Sequence, residues 1–188
     1  MLGRTADSLY WMARYAERAE NVARMLDVGS RMGLIPSSPE IQTSAWKSTL
    51  EIAGAHKGYE RLYGAVDQES VIRFLAIDRE NPSSIWSSLR AGRENARGVR
   101  GTITTEMWEV VNSTWLEIRD IDEQVVLGTG YRQFFENVKD RANLFRGVTN
   151  STMLQDDGYA FVRLGYALER AGNTARLLDA KYHVLLPS

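Results

Sequence analysis

Residues 17–27 read ERAENVARMLD, and residues 169–179 read ERAGNTARLLD. The two segments are identical at eight of eleven positions and lie 152 residues apart. Both are rich in alanine, leucine and arginine, which are among the residues that most favour an α-helix. Because the copies lie near opposite ends of the chain, the repeat predicts two similar terminal helices with the rest of the fold between them.

Each copy places a glutamate, an asparagine and an arginine on one stripe of its helix, with a further arginine beside it, and apolar residues on the opposite side. The polar residues are Glu17, Arg18, Asn21 and Arg24 in the first copy and Glu169, Arg170, Asn173 and Arg176 in the second. The apolar residues are Met12, Ala16, Ala19, Ala23 and Leu26 in the first copy and Leu164, Leu168, Ala171, Ala175 and Leu178 in the second. Since small alanine side chains allow a neighbouring helix to approach closely, we expect the two long helices to pack near one another.

The polar residues form a candidate binding site with complementary chemistry. Glutamate accepts hydrogen bonds, asparagine both donates and accepts, and arginine presents a planar fork of donors. If the two stripes face each other, a glutamate of one copy can hold an arginine of the other, and the remaining arginines would face a carboxylate or phosphate.

Two other interpretations of the polar residues remain open. The stripe can be a buried network that only fixes helix register. Alternatively, the chain is an enzyme in which Glu17 or Glu169 is a general base and the arginines orient an acidic peptide or amino acid. The sequence identifies no nucleophile, and we assign no catalytic residue.

The whole chain shows helical periodicity, and it predicts a single all-α domain over residues 1–188, a bundle or array of about seven helices with long first and last members. The first helix starts at a cap, Thr5 or Asp7, and ends near Met32. The others are predicted over Glu40–Ala53, Asp67–Ile77, residues 81–101 with Pro82 in the first turn, from Thr104 or Thr105 through Ile118, Tyr131–Met153, and Asp157–Leu186. The turn over residues 128–130 closes the region after the fifth helix. The stretch after Ala53, through Gly58 and Gly64, is predicted to be a loop.

Composition excludes several classes of function. The 188 residues contain 23 Lys and Arg against 24 Asp and Glu, a net charge of −1 that gives no overall field for nucleic acid or an anionic membrane. With no cysteine and only His56 and His183 as histidines, we expect no metal and no cofactor. No segment approaches the ~20 apolar residues of a membrane span. We therefore expect a cytoplasmic protein.

Several short segments together resemble the bacterial alpha-E family, an uncharacterised helical domain named for a Glu-Arg motif. Besides residues 17–24, they are residues 4–11 (RTADSLYW), 72–75 (IRFL), 81–85 (NPSSI), 93–97 (RENAR), 106–109 (EMWE), 157–159 (DGY), 168–170 (LER) and 181–183 (KYH). The resemblance implies a protein encoded beside, or fused to, a circularly permuted ATP-grasp ligase-like protein, often with a transglutaminase-like protein nearby. The function it implies is a non-catalytic binding or assembly subunit in peptide synthesis or modification.

The end of the sequence departs from that family. Similar proteins continue beyond residue 183 into a second helical half, whereas this sequence ends at Ser188. We expect one module plus the opening helix of another. Three explanations of the missing half stay open: a naturally short member, a truncated chain, or a homodimer in which a second copy supplies the partner surface.

Overall fold

The computed structural model describes the backbone of residues 1–185 and the side chains of residues 1–180. Over this part of the chain every regular element is helical, which confirms the all-α class. The helices are α1 (Gly3–Met32), α2 (Pro39–Ile52), α3 (His56–Leu62), α4 (Gln68–Ile72), α5 (Ile85–Gly98), α6 (Thr105–Arg119), α7 (Glu123–Leu127), α8 (Tyr131–Thr152) and α9 (Asp157–Leu185), with a π-helical turn over Arg73–Ile77 directly after α4.

Helix α1 is the central element of the fold. It packs most extensively against α5 and α9 and also contacts α8. Its predicted apolar face is confirmed: Met12, Ala19, Ala23 and Leu26 are buried, and Ala16 packs against the same core. The first half of α1 contributes to one hydrophobic cluster and the second half to another, so one helix joins both parts of the core.

Helices α1 and α9 lie side by side and run in the same direction. Leu9 is beside Gly158, Ala13 is beside Gly165, and further along Arg18 binds Glu169. The helices touch most closely at Gly165, where an added Cβ would lie only 2.4 Å from the carbonyl oxygen of Tyr10. Glycine at position 165 therefore sets how near the two helices can come.

The alanine-rich face of α9 is not the face that approaches α1. Leu164 and Leu168 are 45% and 46% exposed, and Leu178 is 66% exposed. The side of α9 that packs on α1 instead carries Gly165 and the buried Glu169. The same inward side carries Val162 and Tyr166, which are buried in the hydrophobic cluster of the first half of α1. The expectation that the alanine-rich face of α9 makes the close packing is therefore wrong.

The helix starts show where local capping signals were sufficient. Asp67 caps α4 and Thr104 caps α6, as predicted. The predicted cap of α1 at Thr5 or Asp7 is wrong, because α1 begins at Gly3 with no side-chain cap. Pro82 was predicted to lie in the first turn of the next helix, but α5 begins only at Ile85. Ser84 is its N-cap, because the Ser84 hydroxyl oxygen accepts a hydrogen bond of 3.1 Å from the Ser87 amide.

Two short helices lie where the sequence predicted none. Helix α3 occupies the predicted loop, and it is anchored by Tyr59, whose side chain is fully buried and donates to the Ala65 carbonyl. Helix α7 follows α6 and is capped by Asp122. Both are single short segments held by tertiary contacts, so neither has the long periodic pattern by which sequence reveals a helix.

Among the described helices, none is long and apolar enough to cross a bilayer.

The close approach at Gly165 leads to a first prediction. Gly165→Ala should lower the free energy of unfolding by about 1–3 kcal/mol, because its methyl group would displace the α1 backbone. The matched control is Gly147→Ala in α8, where an added Cβ meets no atom within 4 Å and alanine should raise stability by up to about 1 kcal/mol. Chemical denaturation of both variants tests this, and equal stability of the two would contradict the proposed close packing.

Candidate functional site between the repeat helices

The two copies of the motif exchange ion pairs across the α1–α9 interface. The Arg18 guanidinium donates to both carboxylate oxygens of Glu169, at 2.8 and 3.0 Å. Arg170 donates in the same way to both oxygens of Glu17, at 2.9 and 3.1 Å. Each Glu-Arg dipeptide therefore receives from and donates to the other, and two parallel helices are joined by two bidentate pairs with nearly the same geometry.

Two more arginines complete this ion-pair cluster. Arg14, which flanks the stripe in α1, donates to Glu169 at 2.7 Å and to the Tyr10 hydroxyl at 2.8 Å. Arg146, from α8, donates to Glu17 at 3.1 Å and also binds Glu20.

Sequence reasoning missed both Glu20 and Arg146. Glu20 is one of the positions at which the two copies differ, and Gly172 is its counterpart. Arg146 lies outside the repeat. The sequence did contain one indication of Glu20: it follows Glu17 by three residues on the same helix, which places the two carboxylates side by side.

The carboxylates of the cluster are removed from water. Glu17, Glu20 and Glu169 are 2%, 3% and 4% exposed. Burial acts to raise the pKa of Glu169, but the hydrogen bonds and charges of Arg18 and Arg14 outweigh it and hold that pKa below its ordinary value. The Glu17 carboxylate in turn raises the pKa of Arg170. A carboxylate stabilised in its charged form by two guanidinium groups is a weak general base.

The last arginine of the motif makes different contacts in the two copies. Arg24 binds Glu20 within α1 and is half exposed, whereas Arg176 reaches across to α2 and donates its Nε to the Ile52 carbonyl oxygen at 2.8 Å. That carbonyl is presented by the turn after α2, which requires Gly54 with φ of 66°. The two arginines are equivalent in sequence but not in contacts.

The motif asparagines line a polar cavity rather than the ion-pair cluster. The cavity has a volume of about 220 Å³ and lies between α1, α9 and the α2–α3 turn. Its charged and amide-bearing lining residues are Arg14, Arg18, Asn21, Glu169, Asn173 and Arg176. Among the described residues, Asn21 Nδ2 and Asn173 Oδ1 are buried atoms with no hydrogen-bond partner. Of the eight predicted residues, Glu17 and Arg170 belong to the cluster alone, and Asn21, Asn173 and Arg176 line the cavity alone. Arg18 and Glu169 belong to both, whereas Arg24 binds Glu20 and does not line this cavity.

Metal-ligating side chains are not grouped within the described part of the chain. His56 lies 3.7 Å from Glu60 in the same helix. The side chain of His183 lies outside the described residues.

Comparison with known proteins relates the motif to a family. A family model named Alpha-E, described as "a predicted alpha-helical domain with a conserved ER motif", matches residues 1–188. Uncharacterised proteins of Mycobacterium bovis and of two Mycobacterium tuberculosis strains are each 24% identical over 197 residues, 94% of this chain. This chain spans only 22% of the length of those relatives. No solved structure gives a significant match.

The buried pairs lead to a second prediction. Glu17→Gln and Glu169→Gln should each lower the free energy of unfolding by about 3 kcal/mol, because the amide keeps the shape but leaves arginines without their countercharge. Glu94→Gln is the matched control, since Glu94 also binds two arginines, Arg93 and Arg97, at 2.7–2.9 Å but in an exposed position. We expect that control to change stability by less than about 1 kcal/mol. Similar losses in all three variants would show that burial does not determine the strength of the pairs.

A third prediction concerns pH. Because its pKa is lowered on folding, Glu169 stabilises the fold at pH values above its unfolded pKa of about 4.3, and this contribution is lost as pH falls through the lower folded pKa. The free energy of unfolding of the wild type should therefore fall more steeply below about pH 5 than that of Glu169→Gln. Asp27 also has a lowered pKa, because the hydrogen bonds and charges of Arg31 and Lys139 outweigh the effect of burial. Since Asp27 is present in both proteins, its contribution cancels when the two pH profiles are compared. Parallel pH profiles would refute this role of Glu169.

Proposed function

The chain belongs to the Alpha-E family, and on that premise we propose that it is a non-catalytic helical assembly subunit of a bacterial ATP-grasp-type peptide or amide ligase system. In this proposal the duplicated Glu-Arg motif serves assembly by fixing α9 in place. The partner that we propose is the ATP-grasp ligase-like protein that the family resemblance implies.

The observation that carries the proposal is the orientation of α9. Its polar side is joined to α1 by the ion-pair cluster, and its apolar side is exposed. We call this apolar side the α9 face, defined by Leu164, Leu168, Ala171, Ala175 and Leu178. An apolar stripe of this length, with leucines 45–66% exposed, is typical of a surface that binds another protein.

The repeat itself indicates how such a face is used. The equivalent residues of α1 include Met12, Ala16 and Ala19, and these are covered by α5 and α8. The α9 face has the same kind of small and aliphatic residues at the same spacing. Docking of helices on it would repeat, between two proteins, the packing that α1 makes within its own module.

The contacts of the motif glutamates support a non-catalytic role. Both carboxylate oxygens of Glu17 and of Glu169 accept hydrogen bonds from arginines. The enzyme alternative requires one of these carboxylates to accept a proton from a substrate. If purified protein turned over a peptide or amino acid and Glu17→Gln or Glu169→Gln abolished that activity, the enzyme alternative would replace our proposal.

A fourth prediction tests the docking surface. Leu168→Glu should weaken binding of the proposed ATP-grasp ligase-like partner by tenfold or more, because it places a charge in an apolar contact. The matched control is Leu144→Glu in α8, because both leucines are 46% exposed on helices and only Leu168 lies on the α9 face. Co-purification and titration calorimetry measure the binding, and circular dichroism checks that both variants are folded.

The outcomes distinguish the partners. Loss of binding in Leu168→Glu alone supports the proposal, as would a change in the ATP turnover of the ligase when the wild type is added. No complex and no change in turnover would refute it. A complex with a transglutaminase-like protein instead, or a homodimer by light scattering that Leu168→Glu dissociates, would replace the proposed partner.

A further inference from the structure

We propose that the cavity between α1, α9 and the α2–α3 turn binds a small dicarboxylate that also carries an N–H group, of which an acidic amino acid is the simplest example. The inference goes beyond partner docking, because the cavity and the α9 face lie on opposite sides of α9. It rests on the charge of the cavity, on two unpartnered amide groups and on its size.

The charge of the cavity favours an anion with two negative groups. Its lining contains three guanidinium groups, from Arg14, Arg18 and Arg176, and one carboxylate, from Glu169. Both oxygens of Glu169 are already engaged by Arg14 and Arg18. Two positive charges therefore remain unmatched among the residues that line the cavity, and a dicarboxylate supplies two negative ones.

Two amide groups without hydrogen-bond partners indicate which polar groups the ligand should carry. Asn173 is only 9% exposed, and its Oδ1 has no hydrogen-bond partner among the described residues; the same holds for Asn21 Nδ2. A buried polar atom without a partner costs free energy, and both asparagines line the cavity, so a ligand that hydrogen-bonds to these amides would remove that cost. Asn21 Nδ2 can donate to a carboxylate, whereas Asn173 Oδ1 can only accept, which requires an N–H group on the ligand.

The remaining walls suit a short carbon chain. Val22, Met25 and Leu75 line the same cavity and can cover methylene groups between the two carboxylates. The volume of about 220 Å³ is below the roughly 300–1,000 Å³ of pockets for drug-sized ligands. Arg176 is held at the rim by its bond to the Ile52 carbonyl, so its charge is positioned before any ligand binds.

Binding is tested with three probes on the full chain. L-glutamate carries two carboxylates and an ammonium group, succinate carries the carboxylates alone, and inorganic phosphate is an anion of different shape. Titration calorimetry and amide NMR should show that L-glutamate binds at millimolar concentration or tighter, with succinate weaker by about tenfold because Asn173 Oδ1 then has no donor. Equal binding of all three probes, binding of phosphate alone, or no binding of L-glutamate would each overturn the proposal.

Two variants separate binding from folding. Asn173→Leu and Asn21→Leu should each weaken L-glutamate binding by tenfold or more, yet leave thermal stability unchanged or slightly higher, because each removes a buried polar atom that has no partner. Asn137→Leu, an exposed position in α8, is the matched control and should bind as the wild type does. Unchanged affinity in both cavity variants would overturn the proposal. If Asn173→Leu and Asn21→Leu lose L-glutamate binding but Leu168→Glu keeps it, the cavity is a site separate from the partner-docking surface.

Discussion

Two buried carboxylates, each held by an arginine from the opposite helix, are the interaction on which the rest of the structure depends. Removing Glu17 and Glu169 from water is costly, and Arg170 and Arg18, which lie in register opposite them, offset much of that cost. The exchange therefore fixes how α9 is placed along α1. Because α1 also runs through both hydrophobic clusters, the pairs connect the last helix to the whole core.

The duplicated motif divides into two functions along its length. Its Glu-Arg half closes the interface, which fits the interpretation of a buried structural network. Its asparagines, Asn21 and Asn173, line a polar cavity together with Arg176, and each asparagine has a buried atom without a partner among the described residues. The interpretations that the sequence left open are thus not exclusive, because neighbouring turns of the same stripe do different things.

Much of the fold could be predicted from the sequence, because it is encoded locally. The apolar periodicity of α1 and the capping residues Asp67 and Thr104 act within one element, and each was correct. The wrong cap of α1 is a local error, whereas the errors in α9 and at Arg146 came from tertiary contacts. The periodicity assigned the packing of α9 to its alanine-rich face. The face that is turned inward instead carries the buried Val162 and Tyr166, the ion-paired Glu169 and the close approach at Gly165. Arg146 could not be predicted, because it reaches the cluster through tertiary contacts from α8 and belongs to no sequence pattern.

The replacement of Glu20 by Gly172 in the second copy has a consequence for folding specificity. Two near-identical helices could compete for the same place against α8, and the competitor would be α9 in the position of α1. Arg146 distinguishes them, because α1 offers it two carboxylates, Glu17 and Glu20, while α9 has only Glu169 at the equivalent positions. A swapped arrangement would lose one of these charge contacts, so this departure from internal symmetry favours the observed topology.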